Sequence, residues 1–349
     1  MAWWESAVAS VSHVCIASAE SRQACLTKPS GSLGRLERVA IQLAGLQHRD
    51  EPTLERVDIR VFAADHGVVE EGVSAFPQSV TAEMIRNFAR GGAAISVLAR
   101  ELKADFLVVN LGTVQPLEDL PGVHSRMLAP GTANFCKEPA MTEVLCSAAL
   151  QAGAEQVRES CHLFIGGEMG IGNTTAAAAL VSQLLGVSPD LTVGPGTGVT
   201  GATLEGKRAV VERALATHAA ACDSPLATLT HLGGLEIAAL AGSYVAAAQR
   251  AVPVLVDGYI ASVAALLACR LNPGVADWLL YSHRSAEPGH RLVLEALQGA
   301  PMLDLEMRLG EGSGAATALP LLRLACQLHN EMATFEQAQV SGGDKRMAD

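Results

Sequence analysis

From Val57 onward the chain repeats one pattern: a short apolar run, a polar or glycine-rich loop, then a helix-forming stretch. The pattern leaves few folds open. Strands buried on both faces read as continuous apolar runs, and successive parallel strands need helical crossovers to return to the same edge. Strands are expected at 57–63, 106–109, 162–165, 253–256, 278–281 and 302–305. The fold class is therefore α/β, with a doubly wound, mostly parallel, Rossmann-like sheet. Such sheets bind ligands outside the carboxyl ends of their strands. Polar residues gather there: Asp65-His66-Gly67, Asn110-Leu111-Gly112, Glu168, Asp257-Gly258 and Ser282-His283-Arg284-Ser285. Any one of these reads as a turn or a helix cap. Five at equivalent positions read as a site.

The flanks differ from this pattern. Residues up to about Asp50 are helical in character, broken at Lys28-Pro29-Ser30-Gly31-Ser32-Leu33-Gly34 before an amphipathic helix at 35–47. After Gly310-Glu311-Gly312-Ser313-Gly314 an alanine- and leucine-rich helix runs to His329. The expected organisation is a small helical domain from 1–50 plus 312–340, a large α/β catalytic domain at 51–311, and a disordered tail at 341–349. With 49% apolar and 17% charged residues the chain is globular, and its 349 residues supply an ample core. The formal net charge of −11 repels nucleic acids and anionic membranes, so no nucleic acid or membrane partner is expected and local features must hold any anionic ligand. The start Met1-Ala2-Trp3-Trp4 lacks the features of a signal peptide and no apolar run is long enough to span a bilayer, which points to the cytoplasm. Eight scattered cysteines without Cys-x-x-Cys spacing argue against zinc or a disulfide framework.

The polar loop of greatest interest is Gly166-Gly167-Glu168-Met169-Gly170-Ile171-Gly172-Asn173-Thr174-Thr175, between an apolar run and an alanine-rich helix. Glycines there let the backbone approach a ligand, and a helix start offers unpaired N–H groups to an anion. The spacing Gly167-x4-Gly172 imitates the phosphate loop of nucleotide hydrolases, but Asn173 stands where the lysine belongs, so a nucleoside triphosphate is a poor fit. The competing reading is a tight turn whose glycines serve packing alone. Glu168 weighs against it, because a carboxylate in an anion loop implies a second role. Gly194-Pro195-Gly196-Thr197-Gly198 suits a second phosphate-proximal loop, and Lys207 in the helix beyond it supplies the charge that Asn173 does not, unless it is a solvated helix lysine. The formal Gly-x-Gly-x-x-Gly at 196–201 carries little weight in a chain of 33 glycines.

Glu168 and Glu311 are an informative pair, since glycine flanks let substrate close over a carboxylate and desolvation lifts its pKa toward that of a useful base. A surface turn is the bland alternative. His66, His283 and His290 with Asp65 and Asp257 lack metal-ligand spacing, so no metal is expected. Ser282 and Ser285 lack the strained turn of a hydrolase nucleophile.

Taken in order, these tracts resemble the nicotinate-nucleotide:dimethylbenzimidazole phosphoribosyltransferase family. The resemblance rests on Lys28 to Gly34, Ala64-Asp65-His66-Gly67-Val68, Gly72-Val73-Ser74-Ala75-Phe76-Pro77, Asn87 to Ala93, Gly167 to Thr175, Gly194 to Gly198, Asp257-Gly258, Tyr281 to Ser285 and Leu309-Gly310-Glu311-Gly312. It covers nearly the whole chain. It implies transfer of 5-phosphoribose from nicotinate mononucleotide to 5,6-dimethylbenzimidazole or a related aromatic base, with inversion at C1′ and no cofactor. By the family's pattern Glu311 is the general base, and Gly170, Gly172, Asn173, Thr174, Thr175 and Lys207 surround the 5′-phosphate, with Gly196 and Gly198 in the loop beside it. Glu168, Asp257 and Ser285 resemble residues around ribose and the reacting carbon, and Ser74, Phe76, Pro77 and Leu309 line the base pocket. The family is homodimeric, and alanine- and glycine-rich helices such as 237–248 would permit close packing between copies. Transfer to a different aromatic base, or a non-catalytic sensor of a phosphorylated nucleotide, remains open at this stage, although a sensor gives no reason for the two glutamates.

Overall fold

The computed structural model describes residues 2–341, so the tail expected at 341–349 lies, beyond its first residue, outside the described residues. The chain divides into two compact units, Met1–Ala9 with Arg56–Ala318, and Ser10–Glu55 with Leu319–Asp349. The leading residues join the large unit for a specific reason. Asn272 Nδ2 donates to the carbonyls of Trp4 at 2.9 Å and Ser6 at 2.8 Å, and Trp278 Nε1 donates to that of Ala9 at 3.2 Å. The division at the other end falls inside the Ser313–Glu331 helix. The small unit is helical, with Lys28 and Glu37 forming a buried pair at 2.9 Å across the break before the Arg35–Leu46 helix.

The large unit is built on a six-stranded sheet: β1 (Val57–Ala64), β2 (Asp105–Gly112), β3 (Val123–Ser125), β4 (Leu163–Met169), β5 (Val254–Val256) and β6 (Leu279–Tyr281). The order is β3-β2-β1-β4-β5-β6 and every pairing is parallel. This is the α/β sheet expected from the sequence. Its direction of winding reverses between β1 and β4, where a doubly wound sheet opens a crevice at its carboxyl edge. All eight residues of β1 are buried. Its two charged members are satisfied at the opposite, amino edge, where Arg60 pairs with Asp58 at 3.2 Å and Asp105 at 2.8 Å. The chemistry is thereby left to the carboxyl edge.

The structure differs from the sequence reading in several places. β4 runs on through Gly166, Gly167 and Glu168, so the turn itself is confined to Gly170–Gly172. Glycine inside a strand marks a close approach, and a Cβ on Gly167 would lie 2.3 Å from the carbonyl oxygen of Glu311. Residues 302–305 form no strand, only an isolated parallel bridge from Leu303 to His283. β3 has no apolar run to betray it, being three residues that are half-buried or exposed at the sheet edge.

The helix expected to pack between copies is used inside the chain. Every residue of Leu235–Ala248 is buried, and its small residues let it cross the Glu143–Ala154 helix closely. A Cβ on Gly242 would meet the carbonyl oxygen of Leu150 at 2.0 Å, and one on Gly153 that of Ala239 at 1.8 Å. Alanine richness here serves the monomer's own core.

Candidate functional site

Above the carboxyl ends of β4, β5 and β6 lies a cavity of about 450 Å³. Its wall draws on the β4 turn, the 196–197 loop, the start of the Tyr259–Leu271 helix, residues 283–287 and the 308–311 loop. The Ser79–Ala89 helix contributes Val80 and Met84, four residues apart on one face.

The backbone of the 310–312 loop is unusual. Gly310, Glu311 and Gly312 take φ values of +86°, +63° and +83°. A left-handed glutamate costs roughly 1–2 kcal/mol, and such strain concentrates at functional sites. Asp257 fixes the loop from below, its two carboxylate oxygens accepting the N–H groups of Gly312 at 3.2 Å and Ala315 at 2.8 Å. Glu311 lines the cavity, is 5% exposed, and has its Oε2 buried with no hydrogen-bond partner among the described residues. Burial pushes its pKa up to about 7 against the Ile95 backbone N–H, which favours the ionised form, and the charge of Asp257 adds to the rise.

Glu168 faces the same loop, for a Cβ on Gly310 would lie 2.2 Å from its Oε1. Its other oxygen accepts from the Asn173 side chain. Burial, with the nearby charges of Glu236 and Asp257, pushes Glu168 up to about 8, against the Asn173 donor that favours the ionised form. Glu236 itself pairs with His66 Nε2 at 2.6 Å beneath Gly170, both side chains fully buried. Two carboxyl groups poised near neutrality in one wall are what proton transfer at physiological pH requires.

A cationic end adjoins them. Lys207, 1% exposed, places Nζ 2.8 Å from Thr174 Oγ1 and 3.0 Å from the Gly194 carbonyl. The two glycine-rich loops singled out in the sequence are thus joined by this lysine. Burial lowers its pKa to about 8, opposed by Glu287. Glu287 Oε1 accepts the Gly196 N–H at 3.1 Å, and Arg308 donates to the Gly196 carbonyl at 3.1 Å.

Of the residues expected in the site, Glu168, Gly170, Asn173, Thr174, Gly196, Ser285, Phe76, Leu309 and Glu311 line the cavity. Lys207 and Asp257 lie behind the wall and act through the contacts just described. Ser74 is also set back, its Oγ 3.2 Å from Thr197 Oγ1. Gly172, Thr175, Gly198 and Pro77 are outside the lining; Gly172 takes φ +99° at the cap of the Asn173–Leu185 helix, and Thr175 is fully buried. Val80, Met84, Tyr259, Ile260, Glu287 and Arg308 line the cavity without having been named from the sequence. Val80 and Met84 read as an ordinary core face, and Glu287 before Pro288-Gly289 reads as a turn. The available signal for Glu287 was its position just past the β6 end. His290 organises that segment: its Nδ1 accepts the Ser285 N–H at 2.7 Å, which leaves the hydrogen on Nε2 for Ser262 Oγ at 3.0 Å. Burial lowers its pKa to about 3, consistent with a neutral ring.

A family model described as Phosphoribosyltransferase matches residues 8–340. The chain is 57% identical to a nicotinate-nucleotide–dimethylbenzimidazole phosphoribosyltransferase of Ectopseudomonas mendocina (strain ymp), and 61% identical to one of Pseudomonas aeruginosa (strain UCBPP-PA14). Each comparison covers 97% of this chain and 98% of the relative. A crystal structure of CobT from Thermus thermophilus is similar with a TM-score of 0.91 at 47% identity, over 95% of this chain and 100% of that one.

Proposed function

Because the chain belongs to the nicotinate-nucleotide–dimethylbenzimidazole phosphoribosyltransferase family, we propose that it transfers 5-phosphoribose from nicotinate mononucleotide to 5,6-dimethylbenzimidazole. The products are the α-linked benzimidazole nucleotide and nicotinate, with inversion at C1′. The observation that carries the mechanism is Glu311, a buried, cavity-lining glutamate with one unpartnered carboxylate oxygen and a pKa raised to about 7.

Nicotinate leaves from a pyridinium that is already cationic, so its departure needs no proton. The incoming benzimidazole does need to lose one. As one ring nitrogen attacks C1′ the other N–H becomes acidic, and Glu311 takes that proton. Glu168 faces the positive charge that develops at C1′. The cationic pyridinium favours its ionised form before the step, since an opposite charge nearby lowers a carboxyl pKa. Lys207, Thr174 and the Gly194–Gly198 loop hold the 5′-phosphate, supported by the lysine's contacts to both loops. Phe76, Met84 and Leu309 give the cavity apolar wall suited to a flat aromatic base. The protein acts as a cytoplasmic homodimer on this reading, through a surface other than the buried 237–248 helix.

Incubation with nicotinate mononucleotide and dimethylbenzimidazole, followed by chromatography, should reveal nicotinate and the new nucleotide in equal amounts. No release of nicotinate would refute the assignment. Sedimentation as a monomer at micromolar concentration would refute the dimer.

A further inference from the structure

Arg308 lines the cavity and the chemistry above leaves it without a task. It is exposed, and it is the only lysine or arginine among the described residues that form the lining. Its Nη1 donates to the Gly196 carbonyl at 3.1 Å, and no carboxylate among the described residues lies within ion-pairing distance of it. A guanidinium has five N–H donors and stays charged throughout the working pH range, so that one bond leaves most of its donors for a ligand.

Gly196 fixes where those donors stand. It lines the cavity itself, and a Cβ on it would lie 3.0 Å from Lys207 Nζ and 2.5 Å from Thr174 Oγ1. The ammonium and the guanidinium therefore flank one residue of the loop assigned to the 5′-phosphate. Lys207 spends two of its three donors on Thr174 and Gly194, and burial lowers its pKa to about 8. A phosphate monoester carries roughly −1.5 to −2 at pH 7, more than one desolvated ammonium offsets in a cavity that three glutamates also line. Its three terminal oxygens let it take donors from both cations, and a planar guanidinium can meet two of them side by side. We propose that Arg308 binds the 5′-phosphate of the phosphoribosyl donor, as the second cation of that site beside Lys207. This rests on the phosphoribosyl transfer proposed above. The donor's other anion, the nicotinate carboxylate, belongs to the ring on C1′, whereas the contact that Arg308 makes is to the phosphate loop.

The test is equilibrium binding by calorimetry on the wild type and on Arg308→Met, which keeps the apolar stem and loses the donors. Three ligands are compared: nicotinate mononucleotide, nicotinamide mononucleotide, which lacks the carboxylate, and nicotinate riboside, which lacks the phosphate. Arg308→Met should bind both mononucleotides about 10- to 150-fold more weakly, as expected for losing hydrogen bonds from a charged group, and should bind the riboside within about threefold of the wild type. Equal weakening of all three ligands would show that Arg308 only shapes the Gly196 loop, and overturns the proposal. Weakening of the two nicotinate ligands but not of nicotinamide mononucleotide would place Arg308 on the carboxylate and overturns it as well, as does wild-type affinity for nicotinate mononucleotide. These results leave the proposed reaction standing if the wild type turns over nicotinate mononucleotide with dimethylbenzimidazole in parallel. A wild type that neither binds nor turns over the nucleotide removes the reaction and the proposal together.

Discussion

Glu311→Gln separates the two roles of its position, strained loop residue and proton acceptor. Glutamine keeps the shape, keeps the left-handed backbone at φ +63°, and can still hydrogen-bond an aromatic base. It cannot take the proton. Turnover with dimethylbenzimidazole should fall roughly 10²–10⁴-fold, about 3–5 kcal/mol of barrier, while the Michaelis constants change little. The wild-type kcat/KM should fall as pH drops through about 7, where the Glu311 carboxyl becomes protonated, and the variant should lose that limb. Stability should respond in the opposite sense. The native chain holds the Glu311 proton more tightly than the unfolded chain does, so wild-type stability declines as pH rises from 4.5 to about 7. Glutamine carries no such penalty. At pH 8 the variant should be the more stable protein, by at most on the order of 3 kcal/mol, and at pH 4 the two should converge. Steady-state nicotinate release across pH 5.5–9, with thermal denaturation at both pH extremes, measures each part. Near wild-type turnover by Glu311→Gln would refute the base assignment and make Glu168 the leading candidate.

Lys207→Ala should raise KM for nicotinate mononucleotide by about 10- to 150-fold with a smaller effect on kcat, because a contact remote from C1′ acts largely as uniform binding; an unchanged KM would remove Lys207 from the phosphate end. Gly167→Ala puts a Cβ 2.3 Å from the Glu311 carbonyl oxygen and 2.7 Å from the Gly312 nitrogen, both backbone atoms that must move. A displaced base should lower kcat about 10²-fold, and a wild-type kcat would show that the loop's position against β4 does not matter. Asp257→Asn retains one acceptor for two N–H donors, so thermal denaturation should show a loss of about 1–3 kcal/mol. Unchanged stability would mean that Asp257 does not hold the loop and helix start.

The sheet was legible because its buried strands carry their own signature. Val57 to Ala64 is an apolar run interrupted only by Asp58 and Arg60, which satisfy each other. What escaped lies where local pattern and tertiary contact disagree. Gly166 and Gly167 are turn residues by composition, yet they extend β4 because Leu240 and the Glu311 loop fill the space a side chain would take. Val123–Ser125 is a strand only because it pairs with β2. The Leu235–Gln249 helix has small residues on every face, and sequence cannot tell whether such a surface packs against its own chain or another.

The site was legible in its backbone and less so in its walls, and the reason is one of charge. Glycine-flanked Glu168 and Glu311 and the lysine after the second glycine loop announce themselves, since carboxylates near an anion site need a purpose. Asp257 announces itself equally and is spent differently, on two backbone N–H groups that hold Glu311 in place. Strand-end position therefore locates a polar residue near the crevice but does not decide whether it faces the ligand or braces the residue that does. The contacts each side chain already makes bear on that choice. Both oxygens of Asp257 are taken by backbone N–H groups, whereas Glu311 Oε2 has no hydrogen-bond partner among the described residues. An unpaired buried acceptor is costly, and it bears on a ligand only where its residue also lines the cavity, as Glu311 does and the equally unpartnered Glu236 does not.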